Sequence, residues 1–163
     1  MNMEKYDTKT LLLAGIRSEV DAARTYSELA EKVKNAFLKE RLKFLASEEE
    51  KHRKSLEAIF RMQFECDSIE LPEKSDVPLP EIEIKSENDP ISFVLESAMK
   101  AEKAAEEFYT SLAERFEDKK IRTLMEVLAG MENTHYLILK AEYENALKFE
   151  EYDTVWPMMH AGP

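Results

Sequence analysis

The chain has 163 residues, enough for one domain with a buried core, and a formal net charge of −11. So acidic a chain offers no basic face to nucleic acid or to an anionic membrane surface, and neither partner is expected. Charged residues make up 35% of the chain and glycine occurs only 3 times, a composition typical of helical proteins.

The sequence shows no feature of an exported or membrane-spanning protein. Residues 1–10 are polar and charged, and the apolar run 11–13 is too short for a signal peptide. No apolar run approaches the ~20 residues that a membrane span needs. Cys66 is the only cysteine, so no disulfide within the chain and no CxxC pair can form. We therefore expect a soluble, cytoplasmic protein.

Four long helices are predicted from apolar residues that recur every three or four positions. The first covers residues 8–34 and the second residues 36–62, with a short break near Asn35. Because so short a break joins antiparallel neighbours, the two helices are predicted to form a hairpin over residues 8–62.

The second half of the chain repeats this pattern after a segment of different character. Residues 63–89 contain three prolines and alternating apolar and polar residues, which predict an extended crossover. Asp89 is predicted as an N-cap with Pro90 at the first helical position. A second hairpin follows over residues 90–148, and residues 149–163 form a C-terminal tail. Two hairpins joined by a long crossover predict an all-α, ferritin-like four-helix bundle in a single domain.

The motif Glu-x-x-His occurs twice, as Glu49 with His52 and as Glu132 with His135. Residues three apart lie on one face of a helix, so each pair can present both side chains to one site. The two pairs are separated by the same offset, since 132 − 49 and 135 − 52 both equal 83. This repeat predicts two equivalent hairpins related by a pseudo-twofold axis.

Each Glu-x-x-His pair has a partner glutamate 30 residues upstream, Glu19 in the first half and Glu102 in the second. Each of these glutamates is followed seven residues later by a tyrosine, Tyr26 or Tyr109. The offset of 83 residues holds for these positions as well, because 102 − 19 and 109 − 26 equal 83. The repeat therefore extends over both helices of each hairpin.

All four glutamates fall on the apolar faces of the predicted helices, where an unpaired carboxylate is costly. Two divalent cations would neutralise four carboxylates and two neutral imidazoles, so the pattern predicts two metal ions side by side. Mixed carboxylate and imidazole ligation suits iron or manganese, and zinc is possible. The six predicted metal ligands are Glu19, Glu49, His52, Glu102, Glu132 and His135.

Further side chains are candidates for roles near this site. Tyr26 and Tyr109 are either core aromatics or hydrogen-bond donors to ligand carboxylates. Glu106 lies one turn past the third-helix glutamate and is either solvated or a seventh ligand. His160 in the tail is not expected to be a ligand, and Cys66 is expected to be an unpaired thiol.

At these positions the chain resembles the rubrerythrin-related proteins of the ferritin-like superfamily. The resemblance covers residues 8–148 and rests on the six predicted ligands together with Tyr26 and Tyr109. It implies a di-iron site in which Glu49 and Glu132 bridge the two ions. It also implies that the diferrous site reacts with hydrogen peroxide or dioxygen, or oxidises ferrous iron.

Two departures from the family pattern are present. Rubrerythrins proper carry a C-terminal rubredoxin domain with two CxxC pairs, which this sequence lacks, so the resemblance implies a separate electron-donor protein such as a rubredoxin. They also have an additional glutamate where this chain has Ala105. The remaining six-ligand set is closer to that of bacterioferritin, and a homodimer is expected.

The leading hypothesis is a di-iron oxidoreductase that reduces peroxide or dioxygen in defence against oxidative stress, with Tyr26, Tyr109 or Glu106 moving protons. The main alternative is a ferroxidase or iron-storage protein of ferritin type. A metal-stabilised interaction module is a third hypothesis. Oxidative hydroxylation of an organic substrate is a fourth, and it requires a substrate pocket that the sequence does not reveal.

Overall fold

The computed structural model describes residues 3–84 and 89–155, with side chains described as far as residue 150. The predicted ferritin-like four-helix bundle is confirmed, and the described residues contain no β-strand. Within the described residues, no helix combines the length and the apolar character that crossing a membrane requires. The four helices are α1 (Thr8–Lys32), α2 (Ala36–Phe64), α3 (Ile91–Ala113) and α4 (Lys119–Val155).

Side-chain caps fix the starts of three helices. Asp7 accepts a hydrogen bond from the backbone N–H of Thr10 at 2.7 Å and caps α1. The Asn35 side chain accepts from two backbone N–H groups at the start of α2, at 3.0 and 3.1 Å. Asp118 accepts from the N–H of Lys120 at 2.7 Å, immediately before α4. Such caps satisfy N–H groups that have no partner within the helix.

Helix α3 begins one residue later than predicted, because Pro90 is the N-cap and not the first helical residue. The Pro90 carbonyl accepts the first helical hydrogen bonds, and its own side chain makes none. The cap is supplied instead by Glu150 from the far end of α4. Its carboxylate accepts from the Ser92 backbone N–H at 3.1 Å and from the Ser92 hydroxyl at 2.6 Å.

This contact accompanies a longer fourth helix than the sequence predicts. Helix α4 continues past residue 148 to Val155, so the first part of the predicted tail, residues 149–155, is helical. Glu150 lies in this extension, and a carboxylate beside the N-terminus of α3 interacts favourably with the helix dipole. Residues 156–163, including His160, lie outside the described residues.

The helices pack as two hairpins, α1 with α2 and α3 with α4, and α2 also contacts α4. The buried apolar side chains form two separate clusters, one towards each end of the bundle. The first cluster includes Ile16, Leu56 and Leu128, and the second includes Leu45 and Leu139. Along every helix, the predicted metal ligands lie between the residues of these two clusters. The polar layer therefore sits at mid-bundle, between apolar layers.

The crossover is held against the outside of the bundle at several points. Val77 is 1% exposed and packs into the first apolar cluster. The Tyr6 hydroxyl donates to the Asp76 carbonyl at 3.0 Å, and the Glu83 N–H donates to the Ser97 hydroxyl at 2.7 Å. These contacts fix the crossover relative to α1 and α3, the helices that carry the two single glutamates.

We predict that Val77→Ala lowers the free energy of unfolding by about 2 kcal/mol, since it removes two buried carbon atoms and leaves a small cavity. Urea denaturation of the metal-free protein measures this change. The matched control is Val127→Ala on α4, whose side chain is 50% exposed, and it should alter stability by less than about 0.5 kcal/mol. Equal effects of the two variants would show that the crossover is not anchored at Val77.

Candidate metal centre

The six predicted ligands are brought together in the core, at the middle of the bundle. Each of the four helices contributes to the group, and every one of the six residues is 4% exposed or less. Because buried carboxylates are rare unless they are paired or bind a metal, this concentration of charge requires a compensating partner.

Four of the six form a compact inner group. One ligand atom from each of Glu49, His52, Glu132 and His135 lies within 4.8 Å of the others. Glu49 lies between the two imidazoles, with carboxylate oxygens 3.1 Å from Nδ1 of His52 and 3.0 Å from Nδ1 of His135. Glu132 is placed in the same way, at 2.9 Å and 3.6 Å from the same two atoms. These two carboxylates are therefore shared by both halves of the site.

The other two glutamates each belong to one half. A Glu19 oxygen lies 3.6 Å from Nδ1 of His52, and a Glu102 oxygen lies 3.7 Å from Nδ1 of His135. The site thus divides into two equivalent halves, each with one glutamate and one histidine of its own. Two shared carboxylates between two such halves form an arrangement that fits two cations.

The inner ligand atoms lack hydrogen bonds although they are buried. Both oxygens of Glu49, both ring nitrogens of His52, one oxygen of Glu132 and Nδ1 of His135 have no hydrogen-bond partner. Several lie close to one another, but none is aligned as a donor and acceptor. Buried polar atoms without partners are costly, and metal coordination would satisfy them. The donor set, four carboxylates and two imidazoles, is one that iron and manganese accept.

The histidines hold protons in the metal-free arrangement. Burial alone would lower the pKa of His52, but the surrounding carboxylates, that of Glu132 foremost, outweigh burial and raise the pKa to about 12. The same competition raises the pKa of His135 to about 12, with Glu102 as its foremost carboxylate. The imidazole rings stack at 5.2 Å between centroids, 14° from parallel.

The carboxyl groups divide into two kinds. Burial and the charges of neighbouring carboxylates raise the pKa values of Glu19 and Glu102 well above the ordinary value. Burial acts in the same direction on Glu49 and Glu132, but the two histidines outweigh it and lower both pKa values, that of Glu132 to about 2. Two divalent cations with four carboxylates and two neutral imidazoles sum to zero charge.

The two tyrosines of the repeat form hydrogen bonds between the two hairpins. The Tyr26 hydroxyl on α1 donates a hydrogen bond to Glu102 on α3, and the Tyr109 hydroxyl on α3 donates to Glu19 on α1. Burial and the neighbouring carboxylate raise the pKa of each phenol well above its ordinary value, so both hydroxyls remain protonated donors. Each tyrosine thus orients a glutamate of the opposite hairpin, not of its own helix.

Glu106 occupies a different environment. Its carboxylate is half-buried and forms a salt bridge with Nζ of Lys103 at 2.5 Å. The same ammonium group donates to the Asn133 side chain at 3.0 Å and lies over the Tyr136 ring. Glu106 is therefore engaged at the α3–α4 surface and is not part of the group of six.

A cavity beside the carboxylates was not found from the sequence. It lies between α1, α3 and the crossover, and all four glutamates of the site line it, whereas neither histidine does. Its other lining residues include Arg17 on α1 and Leu79 on the crossover. The position of an extended crossover against a bundle has no periodic sequence pattern, so these residues carried no signal.

A four-helix bundle with four glutamates and two histidines around a mid-bundle centre able to hold metal is the arrangement of a ferritin-like protein. The chain matches the sequence model of the rubrerythrin family over residues 10–143, and it belongs to this family. Its structure is similar to that of a hypothetical protein from Pyrococcus furiosus, with a TM-score of 0.81 and 33% identity over 91% of this chain and 95% of that chain. No curated protein matches the chain.

We predict that Glu49→Gln lowers metal affinity at both halves of the site by about tenfold or more, because the shared carboxylate loses its charge. Metal analysis after loading and desalting should give fewer than two ions per chain. The matched control is Glu50→Gln, whose exposed carboxylate pairs with Arg53, and it should retain two ions. Two ions in the Glu49 variant would contradict the assignment of this residue.

We also predict that metal loading releases protons, at least the two from His52 and His135 and up to four if Glu19 and Glu102 are protonated. Because these raised pKa values favour the protonated forms, which cannot bind metal, affinity should rise with pH between about pH 6 and 8. Calorimetric titration with zinc in buffers of different ionisation enthalpy counts the protons. Affinity that is independent of pH would contradict buried ligation.

Proposed function

We propose that this chain is a di-iron oxidoreductase of rubrerythrin type that reduces peroxide, or dioxygen, in defence against oxidative stress. The observation that carries the proposal is the division of the site into two equivalent halves with two shared carboxylates. Reduction of a peroxide to water or alcohol takes two electrons, and reduction of dioxygen to hydrogen peroxide also takes two. A centre that holds two one-electron metals side by side matches this demand.

When bound, two ferrous ions would supply one electron each to the O–O bond of the substrate. Within the chain, Glu49 and Glu132 would hold both ions, Glu19 with His52 would complete one half, and Glu102 with His135 the other. The shared pair lies close to the Nδ1 atoms of both histidines, whereas each of the other two carboxylates lies close to one Nδ1 atom, and these distances support the division.

The tyrosines position the outer ligands in this proposal. The hydrogen bonds of Tyr26 to Glu102 and of Tyr109 to Glu19 hold each carboxylate in one orientation. Each phenol also keeps a proton at its hydroxyl oxygen, close to the site, because its pKa is raised. Reduction of peroxide consumes two protons, and we propose that these hydroxyls, which donate hydrogen bonds to the outer carboxylates, help to move them.

The route by which a molecule can reach the site favours a small substrate. The apolar clusters close both ends of the polar layer, which excludes bulk water along the bundle axis. The cavity between α1, α3 and the crossover reaches the four carboxylates from the side. A substrate would approach along this side, opposite the imidazole rings.

The electrons would come from a separate one-electron donor protein such as a rubredoxin. The 163 residues contain a single cysteine, Cys66, and therefore no CxxC pair to hold a redox-active iron. The donor would act twice for each peroxide molecule. We propose that the working unit is a homodimer.

The proposal predicts that one equivalent of hydrogen peroxide oxidises both ferrous ions of the anaerobically loaded protein. The two electrons of the pair match the two-electron reduction of one peroxide to two waters. Rapid mixing with peroxide, quenching and a colorimetric assay of the remaining ferrous iron measure how many ions each peroxide oxidises. The same assay with dioxygen compares the two oxidation rates. Peroxide should react faster than dioxygen.

Two outcomes would contradict this function. Ferrous ions that remain reduced in the loaded protein after one equivalent of peroxide would indicate a site without redox turnover. Continued oxidation of added iron far beyond two ions per chain, with a cage-sized assembly on gel filtration, would indicate a ferroxidase or storage protein.

A further inference from the structure

The cavity beside the metal centre is larger than hydrogen peroxide requires. Its volume is about 230 Å³, whereas an engineered apolar cavity of ~150 Å³ already accommodates benzene. Peroxide, with two oxygen atoms, would leave most of this space empty. The volume suits a substrate with an organic group of about the size of a substituted ring.

The cavity follows the internal repeat of the chain. Residues separated by 83 positions line it as pairs, among them Ala22 with Ala105 and Ser18 with Ala101. Small side chains at these positions of α1 and α3 leave room above the carboxylates. The cavity therefore lies across the pseudo-twofold axis and is accessible to both halves of the centre.

The crossover contributes an apolar patch to the cavity wall, beside its charged residues. Leu79 and Ile82 of this patch line the cavity together with alanines of α1 and α3. The crossover is held in this position by buried Val77 and by the hydrogen bond of the Glu83 N–H to Ser97. A fixed apolar patch of this kind stabilises the organic part of a ligand by burial.

The charged groups at the cavity balance one another. Arg17 and Arg24 both pair with Asp21, at 2.5 and 2.9 Å. Glu73 and Glu81 also act on the Arg17 guanidinium, whose pKa is raised chiefly by its hydrogen bonds with Asp21. Outside the four site glutamates, the lining has three basic and three acidic side chains: Arg17, Arg24 and Lys74, with Asp21, Glu73 and Glu81. The lining thus favours neither an anion nor a cation.

From the volume of the cavity, its apolar patch and its balance of charge, we propose that it binds the organic group of a small uncharged hydroperoxide. This inference rests on the proposed function. The –OOH end would point to the four carboxylates, and the organic group would lie against the alanines, Leu79 and Ile82. The overall change is ROOH + 2 e⁻ + 2 H⁺ → ROH + H₂O. The O–O bond breaks, the peroxide is reduced, and the one-electron donor protein is oxidised twice.

Binding is tested without turnover in protein loaded with redox-inert zinc. The probe is 2-phenylpropan-2-ol, the alcohol formed from cumene hydroperoxide, titrated with ligand-observed NMR. Ala105→Leu would fill part of the cavity from α3, and we expect its Kd for the alcohol to rise at least about tenfold. The matched control is Ala104→Leu, the neighbouring half-buried alanine that does not line the cavity, and its Kd should equal that of the wild type.

Ile82→Phe provides a second variant that fills the cavity from the crossover, should Ala105→Leu disturb the packing of α3. Loss of binding in either well-folded cavity variant, with the control unchanged, supports the proposal. Absence of binding to the wild type, or equal binding to all the variants, overturns it.

A reactivity comparison separates this inference from the proposed function. In ferrous protein, Ala105→Leu should lower the rate with cumene hydroperoxide at least about tenfold more than it lowers the rate with hydrogen peroxide. Oxidation by hydrogen peroxide without binding of the alcohol would overturn the cavity inference and leave the function standing. The opposite result is also informative. If the wild type binds the alcohol, Ala105→Leu abolishes this binding, and the ferrous protein reacts with neither peroxide, the cavity is a ligand site and the proposed function is overturned.

Discussion

The burial of four carboxylates in one layer of the bundle is the constraint on which the rest of this structure depends. Each ionised carboxylate away from water costs several kcal/mol unless a partner compensates it. In this layer, histidines lie beside every carboxylate and compensate part of the cost. Glu49 and Glu132 each lie close to both histidines, while Glu19 and Glu102 each lie close to one. Two divalent cations would neutralise the four carboxylates of the layer. The arrangement is therefore suited to receive metal.

The apolar clusters and the tyrosines make this layer rigid. Side chains such as Leu45 and Leu56 pack above and below it and determine the height at which the ligands meet. The hydrogen bonds of Tyr26 and Tyr109 run from each hairpin to a glutamate of the other. Because each hairpin orients a ligand of its partner, neither hairpin forms a complete half-site alone. The fold and the site are in this sense one cooperative unit, consistent with positioned ligands held by a supporting shell.

The bundle and the ligand layer could be predicted from the sequence because both depend on periodic spacing of residues. Helical spacing places Glu49 beside His52, and the repeat of 83 residues places their counterparts opposite, so these positions follow from one-dimensional pattern. Contacts between elements do not follow in this way. The cap that Glu150 provides for Ser92, the contact of Lys103 with Asn133 and the position of Leu79 over the carboxylates are tertiary contacts without a local signature. The cavity was missed for this reason, although the repeated alanines Ala22 and Ala105 lie in it.

The central claim is that this layer holds two divalent metal ions between its shared carboxylates. A crystal structure after an anaerobic ferrous soak, with anomalous maps at the iron edge, tests it most directly. Two peaks are predicted, each about 2 Å from Nδ1 of one histidine, with Glu49 and Glu132 contacting both. A single peak, or iron bound only at exposed carboxylates while the buried layer keeps its protons, would contradict the account.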